Sequence, residues 1–351
     1  GEPRLVKPEL GDVWPLGIAQ SGTIFYARKR NTRDVYVASL DWAAGRMLSQ
    51  PFRVHPSQLG NSTSPAWSRE GRFLAYLCGS PSGQDQTALC IWSLEDGSRR
   101  QLTLNPPIAV GSRLSWSSDG AEIHARGVKN FSDRPRSFLW RIDSRTGRVL
   151  SETESPWNVS PDGTTVFEYK RDPTTRIFSF FVRNVLDQHV TEIYHTEAPS
   201  GILVPLGDFS PDGRWVVFGV FPQVQNQPPT RIIIAATTTG GAAREVFRFE
   251  ETARPLFLGW APDNQHILCV AVAPSGSDAP ELWKGSVNGE KPQKIDASLG
   301  NARDLTFHPD GKRLAYTLWR TGVWEVWAME NMLGEPATPA VSSSERRSKL
   351  K

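Results

Sequence analysis

Two polar residues, Asn158 and Asp208, occupy equivalent places in the sequence, each two residues before a Ser-Pro-Asp-Gly tetrapeptide. The repeat pattern described below places both on strands that would line a narrow channel. A carboxylate in such a channel can bind water or a cation, or recognise the amine of a ligand. Asn158 and Asp208 are therefore candidate ligand-binding residues. The alternative is a hydrated channel that holds no ligand.

Basic side chains are concentrated in the predicted connections between the second and third strands of several repeat units. The candidate ligand-binding residues of this group are Arg28, Arg30, Arg126, Arg136, Lys170, Arg171 and Arg320. Acidic residues in the same connections are few, namely Asp85, Asp133, Asp172 and Asp278. This distribution predicts positive potential on one face, although the net charge is only +3. An anionic partner would bind there, such as an acidic protein segment, a phosphate-bearing ligand or an acidic glycan. The alternative is an ordinary set of solvated loops.

The sequence lacks the usual signatures of catalytic and cofactor sites. It contains no GxSxG, HExxH, GxxxxGK[ST] or GxGxxG motif and no paired CxxC. The innermost predicted strands contribute no histidine, so a metal site there is not expected. Local turn capping accounts for the aspartates that recur once per unit, namely Asp119, Asp162, Asp212, Asp263 and Asp310. We therefore predict no catalytic residue, no metal and no cofactor.

One short turn organises the whole chain. In Ser210-Pro211-Asp212-Gly213, proline presets φ for a type I turn and glycine supplies the positive φ that closes a hairpin. Six further stretches follow the same pattern. The last turn residues are Gly22, Gly71, Gly120, Gly163, Gly213, Asn264 and Gly311, at steps of 49, 49, 43, 50, 51 and 47 residues.

Self-similarity at this period, with four short alternating segments in each unit, is typical of a β-propeller. The sequence predicts an all-β fold with seven four-stranded antiparallel blades. The penultimate residue of the first strand is small in nearly every unit, as expected where innermost strands converge on an axis. These residues are Gly17, Ala66, Ser115, Asn158, Asp208, Gly259 and Thr306.

The two ends of the chain predict how the ring closes. The seventh unit has no fourth strand, whereas Glu2-Pro3-Arg4-Leu5-Val6 precedes the first unit. We expect this N-terminal strand to pair into the last blade, which removes an unpaired edge. Residues 1–331 then form a single domain. Residues 332–351 have no apolar period, and we predict a disordered tail there.

Composition indicates the kind of core and excludes several classes of protein. The 351 residues include 13 Trp and 16 Phe, enough for a core divided among many small sheets. The mild charge does not indicate specific nucleic-acid binding, and no apolar run is long enough to span a membrane. Cys78 and Cys90 lie on neighbouring predicted strands. A disulfide between them and two free buried thiols both remain open.

The Ser-Pro-Asp-Gly turns, followed by strands such as Leu74-Ala75-Tyr76 and Leu89-Cys90-Ile91-Trp92, resemble the TolB-type, WD40-like bacterial propeller repeat. The resemblance covers residues 2 to 331 and implies a fold more than an activity. The closing stretch, residues 323–331, is similar to the end of propellers found C-terminal to bacterial winged-helix regulators or serine/threonine kinases. That similarity implies a sensory or interaction domain, with a covalently linked N-terminal domain as a possible neighbour.

Three functional hypotheses follow. The first is a non-catalytic binding module of a larger bacterial regulatory protein, with a protein partner or an anionic small ligand at the channel mouth. The second is a propeller enzyme, a lyase or hydrolase acting on acidic sugars. The third is the propeller domain of a serine peptidase. The missing motifs favour the first hypothesis. The sequence leaves the compartment open between cytoplasm and periplasm.

Overall fold

A computed structural model describes residues 13–42, 44–55, 62–79, 87–108, 113–131, 135–155, 158–175, 177–196, 202–220, 230–249, 254–272, 280–297 and 299–329. The chain divides into two compact units. One comprises residues 32–319, and the other comprises residues 1–31 together with 320–351. The predicted N-terminal closing strand at residues 2–6 and the predicted disordered tail lie outside the described residues.

The described residues contain strands and no helix, as the alternating pattern predicts. The first strands are β1 (Val13–Ile18), β2 (Ile24–Asp41), β3 (Arg46–Met47), β4 (Phe52–Arg53), β5 (Ser62–Trp67), β6 (Phe73–Gly79), β7 (Thr87–Ser93), β8 (Arg99–Thr103), β9 (Arg113–Trp116), β10 (Glu122–Asn130), β11 (Pro135–Asp143) and β12 (Val149–Glu154). They are followed by β13 (Thr165–Arg171), β14 (Phe178–Asn184), β15 (Val190–Thr196), β16 (Ile202–Phe209), β17 (Trp215–Val220), β18 (Arg231–Thr237), β19 (Ala243–Phe249), β20 (Arg254–Trp260), β21 (His266–Val272), β22 (Pro280–Ser286), β23 (Gln293–Ile295), β24 (Ala302–Phe307) and β25 (Arg313–Met329).

The strands form antiparallel sheets in chain order. Four sheets have four strands each, namely β5–β8, β9–β12, β16–β19 and β20–β23, whereas β13–β15 has three. A further sheet follows the order β1-β2-β25-β24, with β3 and β4 also pairing with β2. The all-β fold of small antiparallel sheets is confirmed.

The count of seven blades is not confirmed, because the described residues form six sheets. The strands expected to form separate first and seventh blades share one sheet. In the first sequence repeat, the two strands predicted as second and third form one continuous strand, β2. In the seventh repeat, the corresponding two strands form one continuous strand, β25. The stretches 27–33 and 318–322 contain no proline, so nothing interrupts the extended backbone. The backbone N–H of Leu40 donates to Lys312 O at 2.7 Å where the two strands meet.

Apolar clusters join successive sheets within the unit of residues 32–319. They connect β5–β8 to the sheet of β2 and β25, β5–β8 to β9–β12, β13–β15 to β16–β19, β16–β19 to β20–β23, and β20–β23 to the sheet of β24 and β25. In the cluster of β13–β15 and β16–β19, the fully buried Phe180 stacks on Phe218 with ring centroids 4.5 Å apart. No cluster of the described residues joins β9–β12 to β13–β15.

The repeated turns have the expected chemistry. In the turn after β16, Ser210 Oγ donates to Asp212 Oδ1 at 2.6 Å, and the backbone N–H of Trp215 donates to Ser210 Oγ at 3.0 Å. Gly213 has φ +72°. The turns at Asp119 and Asp162 repeat these contacts. The structural interpretation of these turn aspartates is therefore confirmed.

Indole groups tie neighbouring innermost strands together. Trp116 Nε1 donates to Ala66 O at 3.0 Å, and Trp260 Nε1 donates to Asp208 O at 3.2 Å. Both tryptophans are the last residues of their strands, directly after a predicted channel-lining residue. Each tryptophan thus packs against the innermost strand of the preceding sheet.

The cysteines resolve the alternative left open by the sequence. Cys78 on β6 and Cys90 on β7 form a disulfide, with Cα atoms 6.0 Å apart. Cys269 is a free, buried thiol, and burial raises its pKa. Among the described residues no helix is long and apolar enough to cross a membrane.

The smaller unit exposes large apolar side chains. There β1 pairs with β2, from Val13 opposite Arg28 to Ile18 opposite Ile24. Trp14 and Trp324 meet edge to face with ring centroids 6.3 Å apart, yet they remain 63% and 53% exposed.

Candidate functional site

An ion pair joins two sheets that are not consecutive along the chain. Arg113 is the first residue of β9, and Asp208 is the penultimate residue of β16. Arg113 Nη2 lies 2.6 Å from Asp208 Oδ2, and the two side chains are 43% and 29% exposed. The pair therefore links β9 to β16 while remaining accessible to water.

A second guanidinium lies beside this pair. Arg126 on β10 is directly opposite Arg113 on β9, so both side chains project from the same face of the sheet. Like charges in directly opposed positions are destabilising, unless an anion compensates them. Arg126 Nη1 is buried, and no hydrogen-bond partner for it exists among the described residues.

The electrostatics of the two arginines differ. Asp208 raises the pKa of Arg113, outweighing the opposing effect of burial, and Asp304 raises it further. Burial lowers the pKa of Arg126, and the charge of Arg113 lowers it again. Arginine stays protonated at neutral pH in either case. The cluster thus holds two cations with one carboxylate in direct contact.

Two residues with left-handed backbone conformations lie near the starts of other innermost strands. Ser64 on β5 has φ +58°, and Asp304 on β24 has φ +52°, each at a register shift in its strand pair. Thr317 connects them: its Oγ1 donates to Asp304 Oδ2 at 2.9 Å and accepts from the Ser64 N–H at 3.1 Å. Such backbone strain in non-glycine residues is common at ligand-binding sites.

A groove of about 610 Å³ lies against the sheet β13–β15. It is lined mainly by Asn158, Phe167, Tyr169, Lys170, Phe181 and Val190. A Cβ on Gly207, the neighbour of Asp208, would lie 2.9 Å from the Phe167 ring and 3.5 Å from Asn158 Nδ2. Asp208 and the groove residue Asn158 therefore lie in one region of the molecule.

The structure brings together four of the predicted site residues. Asp208 and Arg126 surround Arg113, and Asn158 and Lys170 line the groove. Arg136 and Arg171 instead lie over aromatic rings, with Arg136 Cζ 4.8 Å from the centroid of Phe131 and Arg171 Cζ 5.5 Å from that of Phe178. Arg28, Arg30 and Arg320 belong to the smaller unit; Arg320 is exposed, and the side chains of Arg28 and Arg30 lie outside the described residues.

The expected position of the basic residues on loops is wrong. Arg28 and Arg30 lie within β2, Arg126 within β10, Arg136 within β11, and Arg320 within β25, while Lys170 and Arg171 end β13. The strands that carry these basic residues are longer than the sequence predicted. Long basic side chains can lie on strands because their stems cover apolar surface while their charges reach water.

Sequence reasoning missed Arg113, Asp304 and Ser64, although a signal was present. Each stands two residues before a predicted channel-lining residue, namely Ser115, Thr306 and Ala66. Because side chains alternate along a strand, positions two apart lie on the same face. Inspecting the residue two places before each small residue would have identified Arg113.

No group of three or more His, Cys, Asp or Glu side chains suited to a metal occurs among the described residues. His308 Nε2 donates to Gly71 O at 2.8 Å, and His266 Nδ1 lies 2.6 Å from the turn carboxylate of Asp263. Both histidines thus have structural partners.

Solved structures share this arrangement of sheets. The putative TolB of Agrobacterium tumefaciens matches with a TM-score of 0.51 over 83% of this chain and 99% of that chain, at 17% identity. The fold is that of the TolB-type β-propellers. TolB of Acinetobacter baumannii also matches this chain, with a TM-score of 0.51 over 82% of it and 66% of the other, at 16% identity.

Sequence comparison adds a relative that matches part of this chain. The Bacillus subtilis (strain 168) protein YuxL, described as an uncharacterized peptidase, is 32% identical over 161 residues. The match covers 45% of this chain and 21% of YuxL. The chain thus matches about a fifth of that relative. No protein-family model matches the sequence.

Proposed function

We propose that this TolB-type propeller is a non-catalytic binding module, the sensory or scaffolding part of a larger bacterial regulatory protein. Its ligand is an anionic group of a small molecule or of an acidic protein segment. The group binds where Arg113 and Arg126 project from the innermost edge of the β9–β12 sheet.

The observation that carries this proposal is the direct opposition of two arginines, of which only Arg113 contacts a carboxylate. Asp208 satisfies Arg113 at 2.6 Å, whereas Arg126 Nη1 is buried without a partner among the described residues. A carboxylate or phosphate oxygen beside Arg126 would relieve the repulsion between the guanidiniums and supply the missing acceptor. Anion binding is thus favoured by the same feature that costs stability in the free protein.

One observation keeps an enzymatic alternative, cleavage of an acidic sugar, open to test. His124 lies two residues before Arg126 on β10, opposite Ser115, and therefore on the same face as Arg126. Burial lowers the pKa of His124, partly offset by Glu122 at 3.4 Å, so that the imidazole is neutral at pH 7 and able to accept a proton. The engagement of this ring by Glu122 favours a structural role.

The test measures binding of citrate, inorganic pyrophosphate and fluorescein-labelled hexaglutamate to the full chain by calorimetry or anisotropy. We expect at least one probe to bind, with an affinity that falls as salt rises. Arg126→Gln should weaken binding by about tenfold or more, since it removes one charge-assisted hydrogen bond.

The matched control is Arg100→Gln, which removes the same charge from the exposed outer strand β8. This variant should bind like the unmodified protein. Equal losses in both variants, or no binding of any probe, would refute the proposal. Cleavage of polygalacturonate that His124→Ala abolishes would replace it with the enzymatic alternative.

A further inference from the structure

The innermost edge of the three-stranded sheet is only partly covered. In every other sheet of residues 32–319 that the structure describes, a strand pairs along this edge. Beside β13 there is a single bridge, Val159 opposite Val166, and the Phe167 N–H donates to Asn158 O at 2.9 Å. Among the described residues, no backbone hydrogen bond reaches this edge of β13 beyond Phe167.

The direction of the remaining backbone groups follows from strand geometry. Backbone N–H and C=O groups of alternate residues point to the same edge of a strand. Because the N–H of Phe167 points to the innermost edge, those of Tyr169 and Arg171 point there as well. The groups of Glu168 and Lys170 point to β14, with which they pair. Tyr169 and Arg171 thus offer two donors and two acceptors to an incoming strand.

The sequence explains the shortened edge. The turn at Gly163 follows the preceding turn after only 43 residues, whereas the other steps are 47 to 51. The shortfall is about the length of one short strand. β12 ends at Glu154, and Asn158 already accepts the Phe167 N–H, so only residues 155–157 separate the two in the sequence.

The open edge lies in a groove with mixed chemistry. The Tyr169 and Val190 side chains in this groove are 45% and 50% exposed. Lys170 lines the groove, and Arg171 follows it at the end of β13. Glu168, the acidic residue among the lining side chains, is paired with Arg183. Because Glu168 is neutralised by Arg183, the groove carries a net positive charge from Lys170.

The two faces of an added strand would meet different surroundings. The face of β13 that carries Phe167 packs in the apolar cluster with β16–β19. The opposite face, with Glu168 and Lys170, is therefore turned toward β9–β12. The face of β9–β12 with Arg113 and Arg126 is the one turned away from its own apolar cluster with β5–β8. Alternate side chains of an added strand would meet apolar rings on one side and cations on the other.

We propose that an extended segment of a partner protein, with alternating apolar and acidic residues, adds as an antiparallel strand to the open edge of β13. Its backbone pairs with Tyr169 and Arg171, and its acidic side chains face Arg113, Arg126 and Lys170. Strand addition of this kind obtains affinity from backbone hydrogen bonds and specificity from alternate side chains. The choice of an acidic segment rests on the proposed anion site; the strand addition itself does not.

Charge disfavours the other occupants. A second copy would bring Lys170 and Arg171 of two edges together, which opposes edge-to-edge pairing. The chain's own C-terminal sequence contains Arg346, Arg347, Lys349 and Lys351, and so carries the same sign as the groove. An acidic segment of a different protein fits the charges of this groove.

The test uses the full chain and a fluorescein-labelled eight-residue peptide of alternating Val and Glu, with a Val and Lys peptide as the charge control. We expect the acidic peptide to bind and to protect the amides of Tyr169 and Arg171 from hydrogen exchange. Tyr169→Pro removes the edge N–H without removing a β13–β14 hydrogen bond, so it should weaken binding by about tenfold or more. Tyr169→Ala, which keeps the N–H, should cost less.

The outcomes separate this inference from the proposed function. If binding depends on Arg126 but the Tyr169 and Arg171 amides stay unprotected, the anion site stands and strand addition is wrong. If those amides are protected but Arg126→Gln has no effect, strand addition stands and the anion site is wrong. A dimer without peptide that Tyr169→Pro converts to a monomer would identify a second copy as the occupant, which overturns the proposal.

Discussion

At the scale of single residues, a histidine in the turn after β24 contacts a glycine in the turn of a neighbouring sheet. His308 occupies the serine position of its turn, and its Nε2 lies 2.8 Å from Gly71 O. His308 also meets the Trp67 ring edge to face, with centroids 4.9 Å apart. The histidine thus links the last turn of the larger unit to the turn between β5 and β6. Serine at the same position would be too short to make this contact.

Gly71→Ala tests that contact. Gly71 has φ +73°, and a Cβ there would lie 2.2 Å from His308 Nε2, so the ring must move and its hydrogen bond is lost. We expect the free energy of unfolding to fall by about 2–4 kcal/mol, from left-handed strain plus a lost buried hydrogen bond. Urea denaturation measures the loss.

Gly120 provides the matched control for Gly71. It occupies the same turn position with φ +70°, but nothing lies within 4 Å of its Cβ position. Gly120→Ala should therefore cost only the strain, about 1–2 kcal/mol. Equal losses in the two variants would show that His308 contributes nothing to the stability of this turn.

At the scale of elements, the cysteines show how strand register decides between two chemistries. Tyr76 is opposite Cys90, and Cys78 is opposite Ala88, so the two cysteines are diagonal neighbours on one face of β6 and β7. Cys269 lies in the middle of β21, with no exposed surface. Spacing along the chain could place Cys78 and Cys90 on adjacent strands, but only the register brings both sulfurs to one point.

Thiol titration of protein purified without reductant tests this assignment. No cysteine should react in the native protein, because Cys269 is buried and burial raises its pKa. One thiol should react after denaturation, and all three after denaturation with reduction. Three reactive thiols in the denatured, unreduced protein would mean that the disulfide does not form.

At the scale of the larger unit, the apolar clusters of the described residues do not join every pair of consecutive sheets. Phe180 and Phe218 are fully buried between β13–β15 and β16–β19, and similar clusters join the other consecutive pairs. Between β9–β12 and β13–β15 the opposed faces instead carry charged residues such as Arg126 and Glu168. Hydrophobic burial supplies most of the adhesion between sheets. This interface should therefore open at the lowest free energy.

Hydrogen exchange in the absence of any peptide tests this expectation. The amides of Tyr169 and Arg171 should exchange at least about 100-fold faster than those of Val217 and Ile233, because local opening free energies follow packing. Phe167 is the internal control: its N–H is bonded to Asn158 O, so it should exchange slowly although it lies on the same strand edge. Uniform exchange along β13 and β17 would contradict a weak interface at this position.

Much of the fold followed from local chemistry in the sequence. The Ser-Pro-Asp-Gly turns predict their own hairpins, since the serine hydroxyl, the carboxylate and the positive φ of glycine act within six residues. Alternation predicts the strands, and the small residues before the turns predict the innermost position. The TolB-type resemblance and the solved structures agree on the architecture.

Other features depended on contacts between distant residues. The merging of the first and last units into one sheet depends on β2 pairing with β25, almost a full chain length away. The candidate site depends on Arg113 meeting Asp208, 95 residues further on. Sequence alone identified Asp208, Asn158, Arg126 and Lys170 but could not pair them, because ion pairs form through space and leave no local pattern. The short 43-residue step was visible in the sequence, but only the tertiary structure showed that, among the described residues, the sheet of β13 has three strands.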